Sequence, residues 1–597
     1  MNYPMWEVPA PGLLIAFVSI IHVFVSHFAV GGGLFLVLAE ARARRTDDRE
    51  LLDFVRVHSR FFLLLTLVFG AVTGVGIWFT IALVHPQGTS SLINTFVWGW
   101  AIEWTMFFTE IAAAMVYYYG WDRLPARTHL AVGWIYFVAA WGSLAVINGI
   151  LAFMMTPGGW LTTRSFWSGF LNETYLPSLV MRTFVCVGLA GLYALLTAAW
   201  TRGPDLKEKL AQFAGVGWVL PMAVAVPLCL VWYLGAAAGA GIPAAEILGA
   251  RGPGFMATLG ALFNADGGTG YPAAQRAAFI TTLASVGVIV LTLFLVTFRR
   301  RAYGRLLTSA LMVLALLAMG GGEWVREDLR KPYVIGGFMF VNGARLPAPP
   351  GVVNPPPEAL SQAEDRYALD VLQRDGLLAA ARFSAVPGAE EAMSLDDPQQ
   401  RGASLEESGR EIFKLACSIC HTQNGYQAIV PLVQGKSVGG LEQVVNNMAL
   451  PVDRDGNATS WDDPHLRLDT WRGRRMPPFI GNQAEVHALA VYLARLGGDA
   501  TAGAEATPSS EPGTGKADPG IQVAEDNCML CHDPGGDWPM QDAVAGRDAD
   551  TLYELIGRLE ELNDSMPPFM GTDAERRALA DYLATFHGEP DAEKVAP

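Results

Sequence analysis

Ala101–Leu124, AIEWTMFFTEIAAAMVYYYGWDRL, is an apolar run that nevertheless carries two carboxylates, Glu103 and Glu110. Crossing a bilayer takes about 20 mostly apolar residues, and ionisable groups at such depth are costly and usually functional. Seven residues at about 3.6 per turn amount to two turns, so both carboxylates fall on one helix face. The stretch reads as a membrane helix with a polar, candidate reactive face.

Similar apolar runs fall near 12–40, 59–84, 95–119, 130–155, 177–200, 213–240, 276–298 and 306–324, giving eight expected helices. The connections 41–60, 120–129, 201–210 and 299–305 carry 6, 2, 3 and 4 Lys+Arg, whereas 85–95, 156–176 and 241–276 carry 0, 1 and 2. Basic loops stay on the cytoplasmic side, so both termini are expected outside a bacterial inner membrane. The first helix has no basic leader or small-residue cleavage site before it and reads as an uncleaved span. With this topology His22, Glu103, Glu323 and Glu327 lie at one level near the external face, and Glu110 lies deeper. His27, five residues after His22, points elsewhere. His58 and His129 sit at cytoplasmic helix ends and His85 at an external one, so no ladder of paired histidines for stacked haems is visible.

At 597 residues and 51% hydrophobic, the chain is too apolar for an ordinary soluble protein and too long for one domain. Residues 345–597 hold 20 Lys+Arg against 40 Asp+Glu, net −20, and the remainder holds 22 against 17, net +5. An exported part this acidic excludes nucleic acid as a partner and suits either simple solubility or the steering of a basic protein. We divide the chain into a membrane domain (1–343), a Pro-rich linker and helix (344–404), two small helical domains (405–497 and 520–588) joined by a linker (498–519), and a tail (589–597). The helix within the first linker is expected at about 358–382.

Cys186 and Cys229 lie singly in apolar runs and read as small buried hydrophobes. The other four cysteines form two Cys-x-x-Cys-His motifs, Cys417/Cys420/His421 and Cys528/Cys531/His532. That spacing attaches c-type haem: two thiols bond the vinyl groups, and the histidine is one axial ligand. The second axial ligand is expected from Met476 and Met566, each opening a Met-Pro-Pro-Phe segment followed by AEVHALAVYLARLGG or AERRALADYLATFHG. Met448, Met540, His465 and His487 are competitors for that position. His/Met ligation saturates the iron and makes an electron carrier. The repetition is an internal duplication, and both copies resemble small class I cytochromes c.

In the membrane half, five segments in order resemble subunit I of the cytochrome bd oxidases. His22-Val-Phe-Val-Ser-His-Phe-Ala-Val-Gly31 is similar to the family's first-helix motif with its haem-ligating histidine, and Gly70-Ala-Val-Thr-Gly74 to its second-helix motif. Glu110, Gly120-Trp-Asp-Arg-Leu124, His129 and Ser143 keep the family spacing. Arg330-Lys-Pro-Tyr-Val-Ile-Gly336 resembles a segment that places Glu327 on the carboxylate ligand of a high-spin haem b. The resemblance covers roughly residues 10–340. It implies His22 and Glu327 as ligands of two membrane haems, b and b or d, near the periplasmic face, with Glu323 and Arg330 beside them and Glu103 facing the oxygen-binding iron. It also implies Glu110, Asp122, His129 and Ser143 as the proton route. One side-chain ligand per iron leaves a position open for a small gas.

The chain departs from that family at four places. Arg182 stands where the low-spin haem b takes its histidine, and a guanidinium has no lone pair to offer iron; residues 276–298 contain no methionine for the other side. The quinol-binding loop shrinks to 241–275, a Gly-rich stretch. The ninth helix is replaced by the exported part. Glu103 and Glu110 are seven residues apart, where the family has eight, which rotates Glu103 by about 100° unless a π-type bulge absorbs it. The expected fold is therefore mainly α, a polytopic transmembrane bundle of about eight helices followed by two α-helical cytochrome c domains. The expected function is a terminal oxidase fed by a periplasmic donor, a cytochrome c or similar, through two covalent haems c. Oxygen is reduced at the membrane haem pair, without the low-spin haem b, and a second bd-type membrane subunit is a further partner. The alternatives are a quinol dehydrogenase running the opposite way and a non-catalytic membrane anchor for the two cytochromes.

Overall fold

The computed structural model describes residues 5–201, 203–250, 257, 260–263, 272–346, 366–381, 383–446, 448, 476–500, 502–503, 520, 523–524, 528, 544, 546–559, 569 and 572–585. It divides into two compact units, residues 13–341 with 348–356, and residues 2–12, 342–347 and 357–597.

The first unit is a helical bundle. Among the described residues seven of its helices are long and apolar enough to cross a membrane: Pro11–Arg45, Arg49–Val84, Ala126–Met155, Tyr175–Ala198, Pro204–Gly239, Ala273–Phe298 and Arg305–Arg330. The eighth expected span forms as Val97–Tyr119, 23 residues and so about 34 Å long. Its two glutamates and its Trp and Tyr side chains make it less apolar than the seven. Local signals set the helix ends. Arg42, Arg44 and Arg45 occupy the last turn of the first helix, where cations complement the helix dipole. The Asp48 carboxylate caps the next helix by accepting the Leu51 N–H at 3.1 Å. Two π-type segments, Leu64–Gly70 and Ala211–Val219, interrupt long helices.

Small residues let the helices approach closely, as membrane packing requires. A Cβ on Gly31 would fall 1.9 Å from the Cys186 carbonyl oxygen, and one on Gly33 would fall 2.3 Å from the Tyr136 ring. Phe28 stacks on Tyr193 at 4.0 Å between ring centroids and meets Phe62 edge-on. Cys186 and Cys229 are both buried, as expected of small hydrophobes. After the last long helix, Tyr333–Ile335 and Met339–Phe340 form a short antiparallel ribbon.

In the second unit the helix expected at 358–382 is instead two short ones, Leu369–Asp375 and Leu377–Ala380. Gly376 between them has φ +93°, a left-handed conformation that glycine adopts without steric cost and that breaks the helix. Residues 358–365 of that expectation lie outside the described residues. Ahead of the first Cys-x-x-Cys-His motif, Asp397 caps Pro398–Ala416 by accepting the Gln399 N–H, with Pro398 at the first helical position. That helix crosses Gln483–Leu496. A Cβ on Gly409 would lie 2.1 Å from the Ala488 carbonyl oxygen, and Phe413 packs on Tyr492. In the second copy Gly520 meets the Ala578 carbonyl oxygen at 2.2 Å and the Tyr582 Cβ at 2.4 Å. Each glycine stands eight residues before its first motif cysteine, at 417 and 528, so the duplication extends to the packing.

Candidate functional site

The Val97–Tyr119 and Ala126–Met155 helices pack antiparallel, and their polar residues meet in a constant register. Ser143 Oγ donates to Glu103 Oε1 at 3.1 Å. Seven residues on, Tyr136 OH lies 2.8 Å from Glu110 Oε1 and 3.1 Å from the Ala29 carbonyl oxygen. Seven residues further, His129 Nε2 lies 2.8 Å from the Tyr117 carbonyl oxygen, with the two rings 4.2 Å apart. Each step spans about two helical turns, or about 10 Å. Glu103 and Glu110 thus share a face, and the helix carrying them has no π-type segment. The resemblance grouped Ser143 with Glu110, but the hydrogen bond joins it to Glu103.

The ladder ends on a carboxylate that the sequence reading missed. Glu40 is fully buried near the end of the first helix. Its Oε1 and Oε2 each lie 2.9 Å from His129 Nδ1, Tyr117 OH donates to Oε2 at 2.7 Å, and Arg44 Nε donates to Oε1 at 2.7 Å. With Nε2 against a carbonyl oxygen and Nδ1 against a carboxylate, His129 has hydrogen-bond acceptors at both nitrogens. A small cavity is lined by Ser59, Tyr117, Tyr136 and Gly133 among others. It lies between the Tyr117 and Tyr136 side chains. Asp122 stands apart, with a 72% exposed side chain paired to Arg56.

The second group of charges lies on the last helix. Arg182 Nη2 donates to Glu323 Oε1 at 2.8 Å, and its Nη1 lies 3.5 Å from His27 Nε2. Arg326 bridges the two acids, reaching Glu323 Oε2 at 2.8 Å and Glu327 Oε1 at 2.9 Å. Arg330 donates to Glu327 Oε2 and to the Val334 carbonyl oxygen.

The residues present fit haem unevenly. His22 Nδ1 lies 3.1 Å from Thr73 Oγ1, a hydroxyl that donates to the carbonyls of Phe69 and Gly70. A hydroxyl so engaged accepts the Nδ1 proton, which leaves the Nε2 lone pair to ligate iron. Gly74 faces this ring, and a Cβ there would lie 3.0 Å from His22 Cε1. Each oxygen of Glu327 keeps a second lone pair beyond its guanidinium. Arg182, at the low-spin haem position, is committed to its ion pair. His85 is structural: Nδ1 accepts the Gly88 N–H at 3.0 Å, Nε2 donates to the Val341 carbonyl oxygen at 2.8 Å, and burial holds its pKa below the ordinary histidine value.

After the first Cys-x-x-Cys pair, His421 Nδ1 donates to the Gln427 carbonyl oxygen at 3.1 Å, which fixes that ring nitrogen as a protonated one. Cys417 and Cys420 are thiols, and burial pushes Cys417 up to about 12. His487 pairs with Glu442, which removes it as a competing ligand. Met476 opens the described segment 476–481, and Cys528 is also a thiol. Cys531, His532, Met566, Met540 and His465 lie outside the described residues, as do residues 251–256, 258–259 and 264–271 of the 241–275 loop and most of the 498–519 linker.

Comparison with known proteins gives two family matches and a similar solved structure. Residues 13–265 match the family model of cytochrome bd terminal oxidase subunit I, and residues 515–583 that of cytochrome c oxidase, cbb3-type, subunit III. Among solved structures the chain is similar to the bd oxidase from Geobacillus thermodenitrificans, at 17% identity over 55% of this chain and 89% of that one, with a TM-score of 0.39. No curated protein matches. The chain is a membrane-embedded, haem-containing oxidoreductase of electron transport that carries a cytochrome bd subunit I domain and a cytochrome c domain.

Proposed function

We propose that this chain is a terminal oxidase of the bacterial inner membrane that takes electrons from a periplasmic donor and reduces oxygen to water. The donor is a cytochrome c or a protein like it, and a second bd-type membrane subunit is a further partner. When bound, haem supplies the electron-transfer and oxygen-reducing chemistry. Cys417, Cys420, His421 and Met476 would hold one c-type group, Cys528, Cys531, His532 and Met566 a second, and His22, Glu327 and Glu103 the membrane pair.

The observation that carries the reading is the ladder from Glu40 to Glu103. Making water consumes protons at a dry site, and here Glu40, Glu110 and Glu103 each meet a hydroxyl or imidazole group along one helix interface. Glu40 and His129 collect a proton at the basic, cytoplasmic end. Tyr117, the cavity and Tyr136 lead it to Glu110, and Glu103 with Ser143 holds it at the level of His22. Asp122 serves at most as a surface collector. Against a quinol-fed route stands Arg182, whose guanidinium is paired with Glu323.

Oxygen uptake by the pure, haem-loaded protein, driven by reduced cytochrome c or an artificial one-electron donor, tests the proposal. Sustained uptake is expected. Its absence, or reduction of the haems c by quinol that a quinone-site inhibitor abolishes, would overturn the proposal.

A further inference from the structure

The two cytochrome units differ at one carboxylate. Each opens its last helix with a capping box, Asn482 with Glu485 and Thr572 with Glu575. Glu575 is exposed, and among the described residues its hydrogen bonds go to Thr572. Glu485, at the matching position, is 3% exposed. Its Oε2 accepts the amide of Asn482 at 3.2 Å and that of Leu377 at 2.7 Å, and its Oε1 accepts the amide of Leu378 at 2.7 Å. At Gly376 a Cβ would lie 2.9 Å from Glu485 Oε1, so glycine serves there both for its φ and for the room it leaves.

Two more contacts reach the same loop from the same side of the sequence. Asn342 Nδ2 donates to the Pro478 carbonyl oxygen at 3.0 Å, and Gln373 Nε2 to that of Phe479 at 3.4 Å. Residues 476–481 have no regular structure and contain two prolines, which offer no N–H. Their order therefore depends on bonds supplied from outside the loop. Those bonds come from Asn342 and residues 373–378, and they grip 478–485 just past Met476.

We propose that this preceding segment is a clamp on the Met476 loop, with Glu485 as its positioning residue. The clamp keeps methionine on the first haem c, a restraint that Glu575 does not give the second. The inference rests on the haem c reading. Methionine is a neutral thioether donor carried on this loop, and His/Met ligation raises a haem's potential, so a loosened loop shows as a lower potential.

The test uses the full-length, haem-loaded protein. Glu485→Gln keeps a side chain able to form the capping box but turns an N–H group toward at least one amide N–H. The double substitution Asn342→Ala with Gln373→Ala removes the other grip and keeps Glu485. Redox titration, followed through the red absorption band of methionine-ligated ferric haem, resolves the two haems. Both variants are expected to lower the first haem's potential and lose its share of the band, with the second haem unmoved. Glu575→Gln is expected to change neither. An unchanged first haem in Glu485→Gln overturns the inference, as does an equal shift of both haems. If that variant does not accumulate, the double substitution decides by the same two readings. A parent protein without two thioether-bound haems would overturn the haem c reading instead.

Discussion

Two sets of glutamates sit in the membrane unit, and their partners are of opposite kinds. Glu103 and Glu110 face a serine and a tyrosine hydroxyl. Glu323 and Glu327 face Arg182, Arg326 and Arg330. A carboxylate beside a hydroxyl has no fixed counter-charge and can exchange a proton with its neighbours. One beside a guanidinium has its charge matched by a cation that does not deprotonate in proteins. In the proposed function the first set moves protons, while the second matches the charge of the three arginines and leaves Glu327 its remaining lone pairs for haem. Glu40 lies between these kinds, with Arg44 on one oxygen and His129 and Tyr117 completing its shell.

Substitutions at the two sets should separate them. Glu110→Gln removes the central proton carrier while keeping its shape and its bond to Tyr136. Positioned acids and bases contribute about 10²–10⁴-fold, so oxygen uptake should fall by at least about 100-fold while donor electrons still reduce the haems c at the parent rate. A parent-like uptake rate would break the ladder. Glu323→Gln should instead act on stability. It leaves Arg182 facing a neutral side chain, and breaking a buried pair costs about 3–5 kcal/mol. That loss should appear as a lowered thermal midpoint of the membrane unit with turnover per folded molecule retained. Glu40→Gln should slow uptake by on the order of tenfold, because His129 and Tyr117 keep a hydrogen-bonding partner there. Asp122→Asn is expected to do least. Exposed ion pairs contribute about 0–1 kcal/mol, and uptake should stay close to that of the parent. A loss matching that of Glu40→Gln would restore Asp122 to the route.

Much of this contrast was legible in the sequence, and the missing part has a physical reason. The helices follow from apolar length, the cytochrome units from the spacing of Cys417, Cys420 and His421 and its repetition, and the shared face of Glu103 and Glu110 from helical period alone. The partners required tertiary register. Ser143, Tyr136 and His129 repeat every seven residues, as do Glu103, Glu110 and Tyr117, but only an antiparallel pairing in one particular register brings them into contact. Glu40 was legible in principle as the lone carboxylate late in an apolar run, four residues before Arg44, and was passed over beside a basic loop. The role of Glu485 has no local signal, since the amides of Leu377 and Leu378 that it accepts come from a distant segment. Gly376 carried no signal of its left-handed backbone within a stretch that otherwise reads as helix.

The most direct test of the central claim is to couple oxygen uptake to proton uptake in vesicles of known orientation. A soluble one-electron donor on the haem c side should drive oxygen consumption, with protons drawn from the opposite, Arg44-bearing side, and Glu110→Gln should abolish both together. Oxygen consumption with protons taken from the donor side, or none without added quinol, would contradict the account.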